Sequence, residues 1–143
     1  MIDILELDTL TEPQVTDVLA LMRELTPDRE VTAGMVKQAV EADGTRFFAA
    51  MDGSRVVGCA SLCVDVSPTG RKAHVEDVVV LSEYRGRHLG RNLLEHLIDY
   101  ARRELAPVDI HLTSRPSRVA ANALYRSLGF VPRETNVYKL SIQ

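Results

Sequence analysis

The chain is short of cysteine, of net positive charge and of long apolar runs. Only two of its 143 residues are cysteine, Cys59 and Cys63. Four apart in what reads as one strand, they lie on one face roughly 13 Å apart and cannot bridge each other. Two thiols at that spacing do not make a metal site, so no metal is expected, and both read as small core residues of a reduced, cytoplasmic protein. The formal net charge of −3 excludes a generally basic nucleic-acid binder. No segment approaches the length of a membrane span, so no membrane partner is expected. Met1 to Asp8 is acidic without a basic flank, which is not the pattern of a signal peptide. Repeats and low-complexity segments are absent. A length of 143 suits one domain over residues 1–143, with a core burying about two-thirds of the unfolded surface.

Charge is divided unevenly along the chain. Residues 1–70 carry 5 basic and 12 acidic side chains, and residues 71–143 carry 12 and 8. The second half suits an anionic ligand and the first a cationic one.

The most informative stretch runs from Val75 to Arg91. Residues 75–81 are β-branched and apolar with two acids among them, which predicts a strand. Leu89, Leu93, Leu94, Leu97, Ile98, Ala101 and Leu105 form a helical stripe. Between them lies Arg85-Gly86-Arg87-His88-Leu89-Gly90. The first amides of a helix lack intrahelical partners and carry the positive end of its dipole, so a glycine turn leading into them can cradle a polyphosphate. Arg85, Arg87 and Arg91 add positive charge there.

Around this stretch the pattern predicts a short strand at 2–7 and a helix opened by the cap Thr11 and stopped by Pro27. A second helix runs from about 32 to 42, and strands 46–51 and 55–66 are joined by Asp52-Gly53-Ser54. A strand at 72–81 comes after the turn Ser67-Pro-Thr-Gly70, and Gly58 marks a bulge or close packing. After the central helix come a strand at 108–113, a helix capped by Ser117 and closed by Gly129, and last strands at 130–131 and about 135–142. Alternation along 72–81 puts His74, Glu76, Val78 and Val80 on one face, with Asp77 opposite in a supporting role.

The segment Arg85 to Gly90 resembles the coenzyme A loop of the GNAT N-acetyltransferases, whose motif is Arg or Gln, two residues, Gly, one residue, then Gly or Ala. Arg85 and Gly90 match its ends, and His88 stands where the middle glycine belongs. If that position needs positive φ, its β-carbon costs about 1 to 2 kcal/mol. A second resemblance to the same family lies in Ala121-Asn-Ala-Leu-Tyr125 followed by Leu128-Gly-Phe130, similar to Ala-x-x-Leu-Tyr-x-x-x-Gly-Phe. The element order is also that of the family. The resemblance implies an α/β (α+β) GNAT fold: a mixed, mostly antiparallel sheet of six to seven strands with about four helices, two central parallel strands splaying to admit acetyl-CoA.

The same resemblance implies a function. The chain is expected to be an acyltransferase moving the acetyl group of acetyl-CoA to a primary amine by direct attack in a ternary complex. Its acceptor is expected to be a small polar amine. The loop residues Arg85, Gly86, Arg87, His88, Leu89, Gly90 and Arg91 would hold the pyrophosphate, and the edge of Val78, Val79 and Val80 would bind the pantetheine arm as an added strand. Ala121 and Arg118 complete the cofactor set, Arg118 standing where many members have the Asn that contacts that arm. Arg29, between the first two helices, falls on the acceptor wall.

Transfer to an amine requires a proton acceptor, a donor to the charged carbonyl oxygen and a proton for the departing thiolate. Glu76 is the first choice of base and His74 the second, since family acid–base residues occur at both positions and lie about 7 Å apart. Tyr125 is the acid for the thiolate, and an amide within 78–80 the oxyanion donor. Other readings are a protein lysine or N-terminal acetyltransferase and a non-catalytic acyl-CoA sensor module. A homodimer is left open. The spacing of Gly-x-Gly-x-x-Gly and the lysine of a Walker loop are both missing, which sets aside dinucleotide and P-loop folds.

Overall fold

A computed structural model describes residues 1–143. The chain forms two compact units, Met1–Leu112 and Thr113–Gln143. The first is built on one sheet in the order β1 (Ile2–Leu7), β2 (Thr45–Asp52), β3 (Arg55–Ser67), β4 (Gly70–Val80), β5 (Asp109–His111). β1 to β4 pair antiparallel, and β4 pairs with β5 in parallel. A parallel neighbour needs a crossover, and α3 (Leu89–Glu104) supplies it.

The two other helices of this unit begin close to where they are expected, α1 at its expected cap. α1 (Glu12–Leu25) carries a capping box between Thr11 and Gln14, and α2 (Ala33–Glu41) is capped by the Thr32 side chain. α1 packs on β3 and β4, α2 on α1 and β2, and α3 on β1 to β4. The α3 stripe is as expected, with Leu93, Leu94 and Leu97 fully buried. Gly58 explains how α3 comes so close to β3. A β-carbon added to it would stand 3.2 Å from the Val79 carbonyl oxygen and 3.4 Å from Leu93 Cδ1.

The second unit contains α4 (Val119–Ser127). Its N-cap is Arg118, without a side-chain hydrogen bond, so the expected cap at Ser117 is not used. The closure at Gly129 is as predicted: φ is +100°, and the Phe130 amide returns to the Tyr125 carbonyl at 3.0 Å. The sheet has five strands, not six to seven. Residues 130–131 and 135–142 form no strand, and Val131, Val137, Leu140 and Ile142 are exposed. Alternation is compatible with a strand but does not provide the neighbour that must satisfy its N–H and C=O groups.

Cys59 and Cys63 are unpaired, as expected, and Cys59 is fully buried. Burial pushes the Cys59 thiol up to about 12, with the nearby Asp77 charge adding to the shift. An unfolded thiol ionises near 9.0. The folded group therefore contributes stability that is complete below that pH and lost as pH rises toward 12. Chemical denaturation should show stability falling by about 1.4 kcal/mol per pH unit across this window, and Cys59→Ala should remove that part of the slope.

Candidate active site

The β5 side of β4 is closed over only three residues. Lys72, Ala73 and His74 pair with Asp109, Ile110 and His111, and β4 then continues to Val80 without a partner on that side. A strand edge left open beside a short parallel neighbour can take an extended ligand by main-chain hydrogen bonds. Val78, Val79 and Val80 lie on this open stretch.

Alternation along β4 holds only to Glu76. Ser61 pairs with Glu76 and Cys59 with Val79, so Asp77 and Val78 together oppose Ala60. This is a β-bulge, and Asp77 occupies it at φ +53°, a left-handed conformation that Asp tolerates better than most residues. Because directly paired residues share a face, His74, Glu76 and Val79 lie together with Cys63, Ser61 and Cys59. The expectation for His74 and Glu76 stands, but that for Val78 and Val80 is overturned, since the bulge shifts the phase by one. The Asp77 main-chain carbonyl accepts from Cys59 Sγ at 3.7 Å.

Beyond Val80 a single 3₁₀ turn, Ser82–Tyr84, leads into the glycine turn and α3. Tyr84 ties this segment to the β2–β3 hairpin by donating a hydrogen bond to Asp52, and Arg55 pairs with Glu83 at 3.1 Å. The hydrogen bond to Asp52 raises the Tyr84 pKa. Arg85 turns back to the Val80 carbonyl at 3.2 Å and to Glu24 at 3.4 Å. Arg87 lies over the Tyr84 ring at 4.8 Å, and Arg91 pairs with Glu95 at 3.2 Å. The arginines thus brace the turn.

The main chain of this turn is open at the start of α3. The N-cap of α3 is His88, which makes no side-chain capping bond, and a β-carbon placed on Gly86 or Gly90 would meet nothing within 4 Å. Open space before uncapped helix amides fits a pyrophosphate. His88 sits at φ 61°, ψ 22°, the left-handed region for which the family loop uses glycine. Relief of about 1 to 2 kcal/mol of strain, less the backbone entropy of a glycine, should make His88→Gly more stable by about 0.5 to 1 kcal/mol in urea denaturation.

On the face of His74 and Glu76, His74 is half-exposed, its Nε2 3.5 Å from Asp65 Oδ2, and its ring lies 5.6 Å from that of His111. Glu76 is exposed. Cys63, opposite His74, has its pKa raised, chiefly by desolvation, so it stays a thiol. Sequence reasoning missed Asp65 and His111. Their signal was present, since Asp65 is two residues past Cys63 on the same face and His111 alternates within its strand. Arg29 is exposed in the α1–α2 connection. In the second unit, Tyr125 is buried and packs edge-on against Phe130 at 6.0 Å, Ala121 is half-buried and Arg118 is exposed. A separate depression of about 830 Å³, lined by Glu6, Asp8, Glu41, Asp43 and Arg46 among others, contains none of these residues.

Known proteins resolve the assignment. Residues 8–130 match the model of the acetyltransferase (GNAT) family. The N-alpha-acetyltransferase RimI of Mycobacterium tuberculosis is 36% identical over 88 residues, a stretch covering 59% of this chain and 51% of that protein, so the match spans about half of the relative's length. A putative acetyltransferase from Agrobacterium tumefaciens superposes with a TM-score of 0.81 at 24% identity, over 97% of this chain and 99% of that one. A Trypanosoma brucei acetyltransferase gives 0.75 at 26%, over 99% and 100%. An aminoglycoside N-acetyltransferase solved in complex with CoA gives 0.79 at 17%, over 99% and 95%, a likeness of fold alone. The open β4 edge, the bulge and the glycine turn thus sit in an architecture that these proteins share, and the chain belongs to the GNAT acetyltransferase family.

Proposed function

We propose that the protein transfers the acetyl group of acetyl-CoA to a primary amine within a ternary complex. The observation that carries this reading is the free edge of β4 leading through one 3₁₀ turn into an open glycine turn at the uncapped start of α3. Acetyl-CoA supplies an activated thioester. The amides at Gly86 to Gly90 would hold its pyrophosphate, and the edge at Val78 to Val80 would hold its pantetheine arm. An amide of this edge would donate to the carbonyl oxygen as that oxygen gains charge. His74 and Glu76, on one face beside the edge, are the groups to take the amine's proton. Tyr125 is assigned the return of a proton to the leaving sulfur from its place in the Ala-x-x-Leu-Tyr motif alone. Fixing two reactants side by side contributes at least as much to rate as any one of these groups.

The acceptor is a small polar amine on the reading that the acidic first half of the chain attracts a cation. A peptide N-terminus is the second reading, favoured by the 36% identity to RimI. Calorimetry with acetyl-CoA, joined to a thiol-release assay on small polyamines, amino sugars and short peptides, tests both. Binding with release on one class identifies the acceptor, whereas binding without release on any class would make the domain an acyl-CoA sensor. Tyr125→Phe should lower turnover about tenfold with acetyl-CoA affinity unchanged.

A further inference from the structure

His74, Asp65 and His111 come from three adjacent strands, β3, β4 and β5, and meet at the last paired step before β4 and β5 part company. His74 is in register with Cys63 on one side and with His111 on the other. Asp65 lies diagonally across β3, with its Oδ2 3.5 Å from His74 Nε2. The two imidazole rings stand 5.6 Å apart at an interplanar angle of 35°. Nδ1 of His111 is buried without a hydrogen-bond partner. Buried polar atoms are nearly always satisfied, so an orphaned one marks a residue held in place for something other than its own hydrogen bond.

We propose that His74 is the general base, that Asp65 fixes its tautomer, and that His111 walls its ring; Asp65 and His111 are positioning residues. This rests on the acetyltransferase reading. A ring nitrogen facing a carboxylate keeps its hydrogen, which leaves the other nitrogen with the lone pair. Nε2 is the ring nitrogen that stands 3.5 Å from Asp65, so the hydrogen is assigned to Nε2 and the acceptor role to Nδ1. The amine gives one proton to Nδ1 as its nitrogen bonds to the acetyl carbon and the carbonyl pair moves onto oxygen. Collapse of that tetrahedral centre breaks the C–S bond and releases the coenzyme A thiolate, which Tyr125 is assigned to protonate, while Asp65 balances the imidazolium. The half-exposed side chain then returns that proton to water. A distance of 3.5 Å is long for this contact, as catalytic hydrogen bonds often are before substrate closes the site. Glu76 shares the face but is exposed and makes no hydrogen bond or ion pair, so nothing fixes it toward a substrate.

The charged and titratable groups around His74 are few. Asp65 and Cys63 come from β3, Lys72 and Glu76 from β4 itself, and Asp109 and His111 from β5. α1 meets the far end of β4, where Glu24 binds Ser82.

Two measurements decide the proposal. The first is the ¹⁵N spectrum of the histidine rings in the full chain without substrate. His74 should be mainly the Nε2–H form, and Asp65→Asn should change that population; an unchanged tautomer overturns the role of Asp65. The second is steady-state thiol release with the best amine of the panel. His74→Gln should lose about a hundredfold in kcat and Asp65→Asn about tenfold, with KM for acetyl-CoA unchanged in both. His111→Ala should lose about tenfold, and His111→Phe should restore most of it, because a wall needs a ring and not a nitrogen. His74→Gln at full rate overturns the assignment of the base, as does Glu76→Gln losing more than His74→Gln. His111→Phe as slow as His111→Ala overturns the wall. Should no amine react, the acetyltransferase reading fails and the base assignment with it, while the ring spectra still decide the tautomer.

Discussion

Gly90→Glu is expected to weaken acetyl-CoA binding about a hundredfold while leaving the protein folded. Gly90 lies in the first turn of α3 with an ordinary helical φ, and a β-carbon there meets nothing within 4 Å, so the substitution has room. A carboxylate in a first helical turn favours the helix by about 0.3 to 1 kcal/mol, so Tm should hold or rise. The same carboxylate occupies the space assigned to the pyrophosphate. Like charges about 5 Å apart at an effective dielectric near 20 repel by about 3 kcal/mol, which is about a hundredfold in Kd. Gly90→Ala is the control, since it adds a methyl without charge and should change affinity much less. Calorimetry reads both. If Gly90→Glu binds as tightly as the wild type, the pyrophosphate is held elsewhere.

This test separates backbone from side-chain binding in a way the sequence alone did not. Three arginines in the turn read as a cationic cluster aimed at a phosphate, yet Glu24 and the Val80 carbonyl engage Arg85, the Tyr84 ring takes Arg87, and Glu95 takes Arg91. The side-chain partners lie 61, 3 and 4 residues away in sequence. The local ones are visible as spacing, but Glu24 is a tertiary fact. The helices, the hairpin at Gly53 and the left-handed demand at position 88 were legible, because caps, turns and periodicity are local chemistry. The bulge at Asp77 was not. It depends on how β3 and β4 fit against each other, and one extra residue moved Val78 and Val80 out of phase with His74. The last strands failed for a related reason: alternation near Val137 and Leu140 describes a segment suited to pairing, not one that has a partner. At the site, the loop and its cofactor class were readable from the motif, whereas the grouping of Asp65, His74 and His111 needed the register of three strands.

Leu93→Ala is expected to cost about 3 to 4 kcal/mol of stability. The side chain is fully buried, and it lies against the bare backbone that Gly58 leaves on β3. Truncation removes its transfer free energy and opens a cavity. Collapse is hindered by the sheet backbone that Leu93 packs against and by the close-packed core around it, where Leu94 and Leu97 are also at 0% exposure. Against a net stability of about 5 to 15 kcal/mol this is a large share, and Tm should fall by about 10 °C. Refilling the notch with Gly58→Ala should recover little, because the added β-carbon still stands 3.2 Å from the Val79 carbonyl oxygen. Leu93 sits one helical turn from the start of α3, where the pyrophosphate is proposed to bind, so the core and the proposed site can be tested together. A ligand that binds only the folded state adds about 2.7 kcal/mol at a hundred times its Kd, so saturating acetyl-CoA should return most of the lost Tm. In the Leu93→Ala/Gly90→Glu double variant that rescue should vanish at the same acetyl-CoA concentration. Rescue that persists there would mean the cofactor is stabilising the fold through contacts other than the start of α3.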